Sequence, residues 1–184
     1  MEFLNVKKEY WKEIKEIYLE AFPKHERKPF FVIKNAHRKG KLQVITAIER
    51  GKLSGFIMAI PYLDMVMVDY LAISSKVRSK GIGSRLLQEV CQRFSGKKIL
   101  LLIEQIDENA ENYEQRISRK KFYLKNGFSS SDIFTTGASG NMEILYQGTP
   151  PSIERYIALQ KYALGPILFP LSGIASEKSI FSAC

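Results

Sequence analysis

The sequence is poor in the residues that build metal centres and covalent frameworks, with two cysteines, Cys91 and Cys184, and two histidines, His25 and His37. Cys91 falls on the apolar stripe of an expected helix and Cys184 ends the chain, so no structural disulfide is expected. Neither joins a Cys/His cluster with ligand spacing, so no metal site is expected. A long apolar run is also missing. The best candidate, Ala163–Ser176, is broken by Gly165, Pro166, Pro170 and Gly173 and is shorter than the ~20 residues a membrane span needs. Met1–Lys8 is polar-mixed and does not read as a signal peptide. There is no internal repeat and no low-complexity segment. A soluble, cytoplasmic protein with no membrane partner is expected.

What is present suits one domain with a short appendage: 184 residues, 45% hydrophobic and 26% charged, enough to bury a core and without a disordered signature. The formal charge of +9 admits three partners: nucleic acid, an acidic membrane surface or a polyanionic small molecule. The basic residues are scattered through helical patterns and form no tract interleaved with aromatics. That pattern weighs a phosphate-bearing cofactor, or plain solubility, above nucleic acid.

Tyr10, Ile14, Ile17, Tyr18 and Ala21 recur at helical spacing, which predicts an amphipathic helix over Lys8–Phe22, stopped by Pro23. A second short helix is expected around Phe30–Arg38. Gln43–Glu49 and Leu53–Ile60 read as strands joined by a turn at Arg50–Lys52. Met65–Ile73 is apolar except for Asp69, the pattern of a strand buried on both faces. Ile82, Leu86, Leu87, Val90, Cys91 and Phe94 mark a helix ending at Ser95-Gly96, and Lys98–Ile103 is another apolar strand. Strand, helix, strand at this spacing is a βαβ unit with parallel strands. Tyr113, Ile117 and Leu124 mark a further helix, terminated by Asn126-Gly127. Two strands follow, Phe128–Phe134 and Asn141–Gln147, then a helix over Ile153–Leu164.

The segment that carries chemistry joins the apolar strand to the helix after it. Arg78, Ser79, Lys80, Gly81, Ile82, Gly83 and Ser84 form a basic, glycine-containing loop opening directly into a helix. A helix amino terminus offers unpaired N–H groups and the positive end of the macrodipole, a natural seat for phosphates. Glycine lets backbone approach a ligand, and Arg78 and Lys80 add charge-assisted donors. The residues alone leave open a plain glycine-eased turn with solvated charges. A Walker P-loop is excluded because no Gly-Lys-Ser/Thr follows at the required spacing. A dinucleotide fingerprint is excluded because Leu86 stands where its third glycine belongs.

Arg78-x-x-Gly81-x-Gly83, placed between a strand reading Leu71-Ala72-Ile73 and a helix, resembles the acetyl-CoA pyrophosphate motif of the GNAT (GCN5-related N-acetyltransferase) superfamily. Phe122-Tyr123-Leu-Lys-Asn-Gly127-Phe128 resembles a second stretch of that family, at the end of the helix after the second central strand. The resemblance covers about Val6 to Gln147. It implies an α/β fold of the acyl-CoA N-acyltransferase type: a mixed central sheet flanked by helices, its parallel central strands splayed at the cofactor. It further implies that acetyl-CoA, as co-substrate, gives its acetyl group to an amine of a small molecule or protein.

By the same resemblance, the pyrophosphate rests on backbone from Arg78 to Ser84, and the pantetheine arm pairs with backbone at Leu71, Ala72 and Ile73 in the gap between the two central strands. Tyr123 would be the general acid toward the departing sulfur. A phenol of reference pKa ~10 holds its proton at neutral pH and can give it to a thiolate. On the ~100° per residue rule, Tyr123 lies off the stripe through Ile117 and Leu124, although a core aromatic at a helix end is the plainer reading. The candidate bases are Asp69 and Glu104. Each also has a bland reading, as a carboxylate paired with a basic neighbour or as a solvated strand end.

The chain departs from the family where relatives carry an Asn that meets the pantetheine arm, since Arg116 and Arg119 stand there. With Lys120 and Lys121 these form a basic cluster that reads as a solvated helix face or a contact to the CoA 3′-phosphate. Residues 1–149 are taken as the transferase domain. Residues 150–184 are an apolar extension whose Ile167, Leu168, Phe169, Leu171 and Ile174 need cover, on this domain or on a second copy in a homodimer. The alternative is a non-catalytic CoA-sensing or nucleic-acid-binding module on the same fold.

Overall fold

The computed structural model describes residues 1–77, 81–137 and 140–174, and the chain divides into two compact units, Met1–Gly96 and Lys97–Cys184. The first unit is an antiparallel sheet of β1 (Glu2–Asn5), β2 (Gln43–Glu49), β3 (Lys52–Tyr62) and β4 (Met65–Ile73) with helices α1 (Trp11–Ala21), α2 (Phe30–Arg38) and α3 (Ile82–Arg93). Leu53–Ile60 is buried without interruption, so both faces of β3 are covered. α1 and α3 both pack on it. The expected strands and helices of this half are found, but β1 is an addition. Four residues are too few to show a period, and the pairing Glu2↔Ile48 to Asn5↔Ile45 is what makes them a strand.

The register of β4 holds a feature that alternation does not reveal. Met58 pairs with Tyr70 and Ala59 with Val68, so Asp69 is the extra residue of a β-bulge. Bulges re-aim side chains and increase twist.

The second unit contains β5 (Lys98–Glu104), α4 (Tyr113–Lys125), β6 (Ser129–Gly137), β7 (Gly140–Gln147) and α5 (Ile153–Leu171). Its strands are antiparallel, with β7 between β5 and β6. Here α4 corrects the expectation. Leu124, placed on the buried stripe, is 43% exposed, and no residue of α4 is fully buried. Charged contacts hold this helix instead, as described below.

α5 extends past the expected end at Leu164. The backbone breaks at Gly165 (φ 73°, ψ 177°) and helix resumes beyond it, with Pro166 at the first position of the new segment, where its missing N–H costs nothing. Tyr156 and Leu159 are fully buried, which seats the first segment, whereas Ile167 and Leu171 are 77% and 75% exposed. Near the chain end Ile174 lies beside Gly137 of β6. Among the described residues no helix is long and apolar enough to cross a membrane.

Candidate active site

The loop leading from β4 to α3 is the first part of the site. Arg78, Ser79 and Lys80 lie outside the described residues. Gly81 caps α3 in the left-handed conformation (φ 71°), a conformation that costs an ordinary L-residue about 1–2 kcal/mol. Among the described residues no side chain caps this terminus, and its first turn carries no acid. Among the described residues the first amide of the helix to bond backward is Arg85, to the Gly81 carbonyl at 3.1 Å, and the N–H groups of Ile82, Gly83 and Ser84 are the ones a helix start does not use within the helix. A Cβ built on Gly81 would meet no atom within 4 Å. Among the described residues this terminus offers backbone donors, the positive end of the helix dipole and open space beside Gly81, the features a diphosphate needs.

β4 supplies the second part. The Ser74 N–H donates to the Ser54 carbonyl at 2.9 Å, so by strand alternation the Ala72 N–H also faces β3. The N–H groups of Leu71 and Ile73 therefore point to the opposite edge of β4. Gly55 makes room on the β3 side, since a Cβ there would stand 2.7 Å from the Ala72 oxygen and from Ile73 Cδ1.

Asp69 sits at the bulge with its carboxylate engaged: Lys28 Nζ is 2.7 Å from both oxygens. Lys28 is itself anchored. Its N–H donates to the Tyr70 hydroxyl (3.2 Å), its carbonyl accepts from the Tyr18 hydroxyl (3.1 Å), and Tyr70 donates to the Glu26 carbonyl (3.0 Å). Tyr70 meets Tyr18 and Phe22 edge-on at 4.9 Å between ring centroids, and Tyr18 and Phe22 are tilted to each other at 5.5 Å. Burial, with the Asp69 charge adding to it, pushes the Tyr70 phenol far above its ordinary pKa. Tyr70 is thus a fixed neutral hydrogen-bonding group.

In the second unit Glu104 ends β5, buried to 8% exposure. It receives Arg119 Nη1 at 2.7 Å, Arg116 Nη2 at 3.3 Å, and Asn112 Nδ2 at 3.0 and 3.2 Å. Asn112, Arg116 and Arg119 follow one another at four and three residues, so one face of α4 carries all three. Arg116 also donates to the Gln105 carbonyl at 2.7 Å. The next turn repeats the device. Lys120 reaches both oxygens of Glu143 (2.9 and 2.8 Å), a residue 1% exposed that also accepts from Ser130. Of the basic cluster read from the sequence as a solvated face or a contact to the CoA 3′-phosphate, Arg116, Arg119 and Lys120 reach carboxylates and only Lys121 is exposed. Glu143 was not legible as a partner, because it is the sole charged residue of its strand and its partner Lys120 lies 23 positions away.

Tyr123 is half-buried on α4, edge-on to Phe122 (5.1 Å) and Phe128 (5.9 Å). Burial pushes its phenol up to about 12, opposed by the Arg119 charge. Among the described residues no group of His, Cys, Asp and Glu is arranged to hold a metal ion.

A sequence profile described as an acetyltransferase (GNAT) domain matches residues 26–130, more than half of the chain. The chain belongs to the GNAT acetyltransferase family. It is 28% identical over 108 residues to the proposed acetyltransferase YjbC of Bacillus subtilis (strain 168), a match spanning 55% of this chain and 54% of that protein's length. Among solved structures, a proposed GNAT acetyltransferase from Bacteroides thetaiotaomicron superposes with a TM-score of 0.70 at 18% identity, over 92% of this chain and 98% of that one. An aminoglycoside 6'-N-acetyltransferase complexed with coenzyme A does so with a TM-score of 0.65 at 15% identity, over 83% and 100%. At these identities the likeness shows the fold, which is the α/β GNAT fold.

Proposed function

We propose that this protein is a cytoplasmic N-acetyltransferase that moves an acetyl group from acetyl-CoA to a primary amine. The observation that carries this reading is the uncapped, acid-free start of α3 behind a left-handed Gly81, in a chain of this family. Acetyl-CoA would supply an activated acyl group as a thioester. On this reading the amides of Ile82, Gly83 and Ser84, with Arg78, Ser79 and Lys80, hold the diphosphate, and the outward N–H groups of Leu71 and Ile73 bond the pantetheine arm. A structural relative crystallised with coenzyme A supports the choice of co-substrate.

Tyr123 is the proposed donor to the departing sulfur. A phenol held near 12 keeps its proton throughout the neutral range. Against a thiol of reference pKa ~8.5, full transfer would be uphill by about 5 kcal/mol. The useful contribution is therefore a hydrogen bond that strengthens as charge grows on sulfur, with the net proton coming from the amine. For the two candidate bases the pairing reading is favoured. Both oxygens of Asp69 are taken by Lys28 and both of Glu104 by three donor groups, and a carboxylate so occupied is a poor proton acceptor. We assign both to positioning: Asp69 fixes Lys28, and Glu104 fixes α4 and with it Tyr123. The attacking amine then enters already neutral, and the rate should rise with pH along the amine's own titration.

We further propose residues 1–149 as the transferase domain and 150–184 as an extension that a second copy covers, the exposed Ile167 and Leu171 supplying the apolar surface. A panel of amines with acetyl-CoA, read by free-thiol release, tests the activity. Absence of amine-dependent thiol release across small amines and peptide amino termini would count against it.

A further inference from the structure

An open groove of about 880 Å³ runs over α1, α2 and the segment between them. Six cations line it, Lys12, Lys15, Lys24, Arg27, Lys28 and Lys34, and among the described residues no carboxylate does. In sequence these residues are dispersed over more than twenty positions; the fold gathers them.

The gathering is sorted, too. On the ~100° per residue rule, Lys15, Leu19 and Lys12 fall within about 60° of one flank of α1, while Glu16, Glu20 and Glu13 fall within about 60° beyond it. The buried face, Ile14, Ile17 and Tyr18, lies on the remaining side. α1 keeps its acids out of the groove. Lys28 is compensated by Asp69, and Lys34 sits over the Trp11 ring at 5.8 Å. Lys12, Lys15, Lys24 and Arg27 make no ion pair among the described residues. Phe31 lines the same groove with 74% of its surface exposed, so its ring face is open to a stacking partner.

We propose that this groove docks single-stranded nucleic acid. The occupant must carry several spaced negative charges, because one carboxylate or phosphate cannot neutralise cations spread along two helices. Five of the six cations are lysines, flexible point charges that can follow the phosphates of a strand. An exposed aromatic ring beside such a track is the stacking platform that unpaired bases use and that an acidic peptide or a duplex does not. Strand binding and coenzyme A binding are separate measurements, so either reading can fail without the other.

The test is fluorescence anisotropy with the full chain and a fluorescein-labelled single-stranded DNA octamer of mixed sequence. Binding through about three to four phosphates predicts a slope of log K against log salt of about −2 to −3, a loss of roughly 15- to 60-fold between 50 and 200 mM salt. Phe31→Ala should weaken binding at least about fivefold by removing the stack, and the Lys12→Glu/Lys15→Glu pair should weaken it further. Unchanged melting temperatures show that these surface variants fold. A slope shallower than −1, Phe31→Ala binding as tightly as the parent, or equal competition by an oligo-aspartate octapeptide or a duplex of the same length would each overturn the proposal.

Discussion

Lys28 Nζ stands 2.7 Å from each carboxylate oxygen of Asp69, the bulged residue of β4, and so ties the connection between α1 and α2 to the strand that carries Leu71 and Ile73. Both side chains are largely shielded, Lys28 at 25% and Asp69 at 13% exposure. Removing one partner leaves the other charge desolvated, and breaking a fully buried pair costs 3–5 kcal/mol. Lys28→Met should therefore lower stability in urea by about 2 kcal/mol, discounted for partial exposure. Adding Asp69→Asn should restore part of that loss, giving a coupling of about 1–2 kcal/mol in the double-mutant cycle. Strict additivity would show that the pair contributes no specific energy.

Glu104 separates a positioning carboxylate from a catalytic base. Glu104→Gln removes the charge that compensates Arg116 and Arg119, so it should cost about 2–3 kcal/mol of stability and reduce turnover by loosening α4. The pH dependence should keep its shape, following the acceptor amine. A base would behave oppositely: the melting temperature would hold while the acidic limb of the rate profile vanished.

Tyr123→Phe should cut turnover about 10- to 100-fold, as expected for a lost hydrogen bond to developing charge, with coenzyme A affinity unchanged. The phenol also predicts an alkaline effect on stability. Its folded pKa, about 12, exceeds the ordinary value of 10.0, so its stabilising contribution is complete below pH 10 and is lost as pH rises toward 12. Tyr156, pushed to about 12 by burial, acts in the same direction. Melts recorded between pH 9 and 12 should show Tyr123→Phe losing less stability than the parent. Parallel curves would contradict the raised value.

Gly55→Ala probes the β3–β4 approach. Its Cβ would stand 2.7 Å from the Ala72 carbonyl oxygen, and backbone cannot step aside as a flexible side chain can. The substitution should cost more than about 2 kcal/mol and, by shifting Leu71 and Ile73, weaken coenzyme A binding severalfold. Isothermal titration alongside thermal melts would show both effects, and unchanged values for both would mean that β4 is not held as described.

The sequence was legible where one physical signal dominated. β4 carried an apolar run broken only at Asp69 and α3 a clear amphipathic stripe, and the loop between them carried a motif whose glycine at position 81 the backbone requires. It was illegible where pairing decided the structure. The bulge at Asp69 is set by register against β3, not by any property of Asp69. On α4, Leu124 looked like core, yet the helix is held by Arg116, Arg119 and Lys120 reaching two carboxylates on β5 and β7. Such contacts join residues 12 to 23 positions apart, beyond the reach of a periodicity argument.

The central claim is that the start of α3 binds a diphosphate. Isothermal titration of coenzyme A into the parent chain and into Gly83→Glu tests it directly, because a glutamate in the first turn suits the helix dipole yet places negative charge where the phosphates must sit. The account predicts saturable binding by the parent and at least a tenfold loss in the variant with its fold intact. Equal affinity in both, or no binding by the parent, would contradict it.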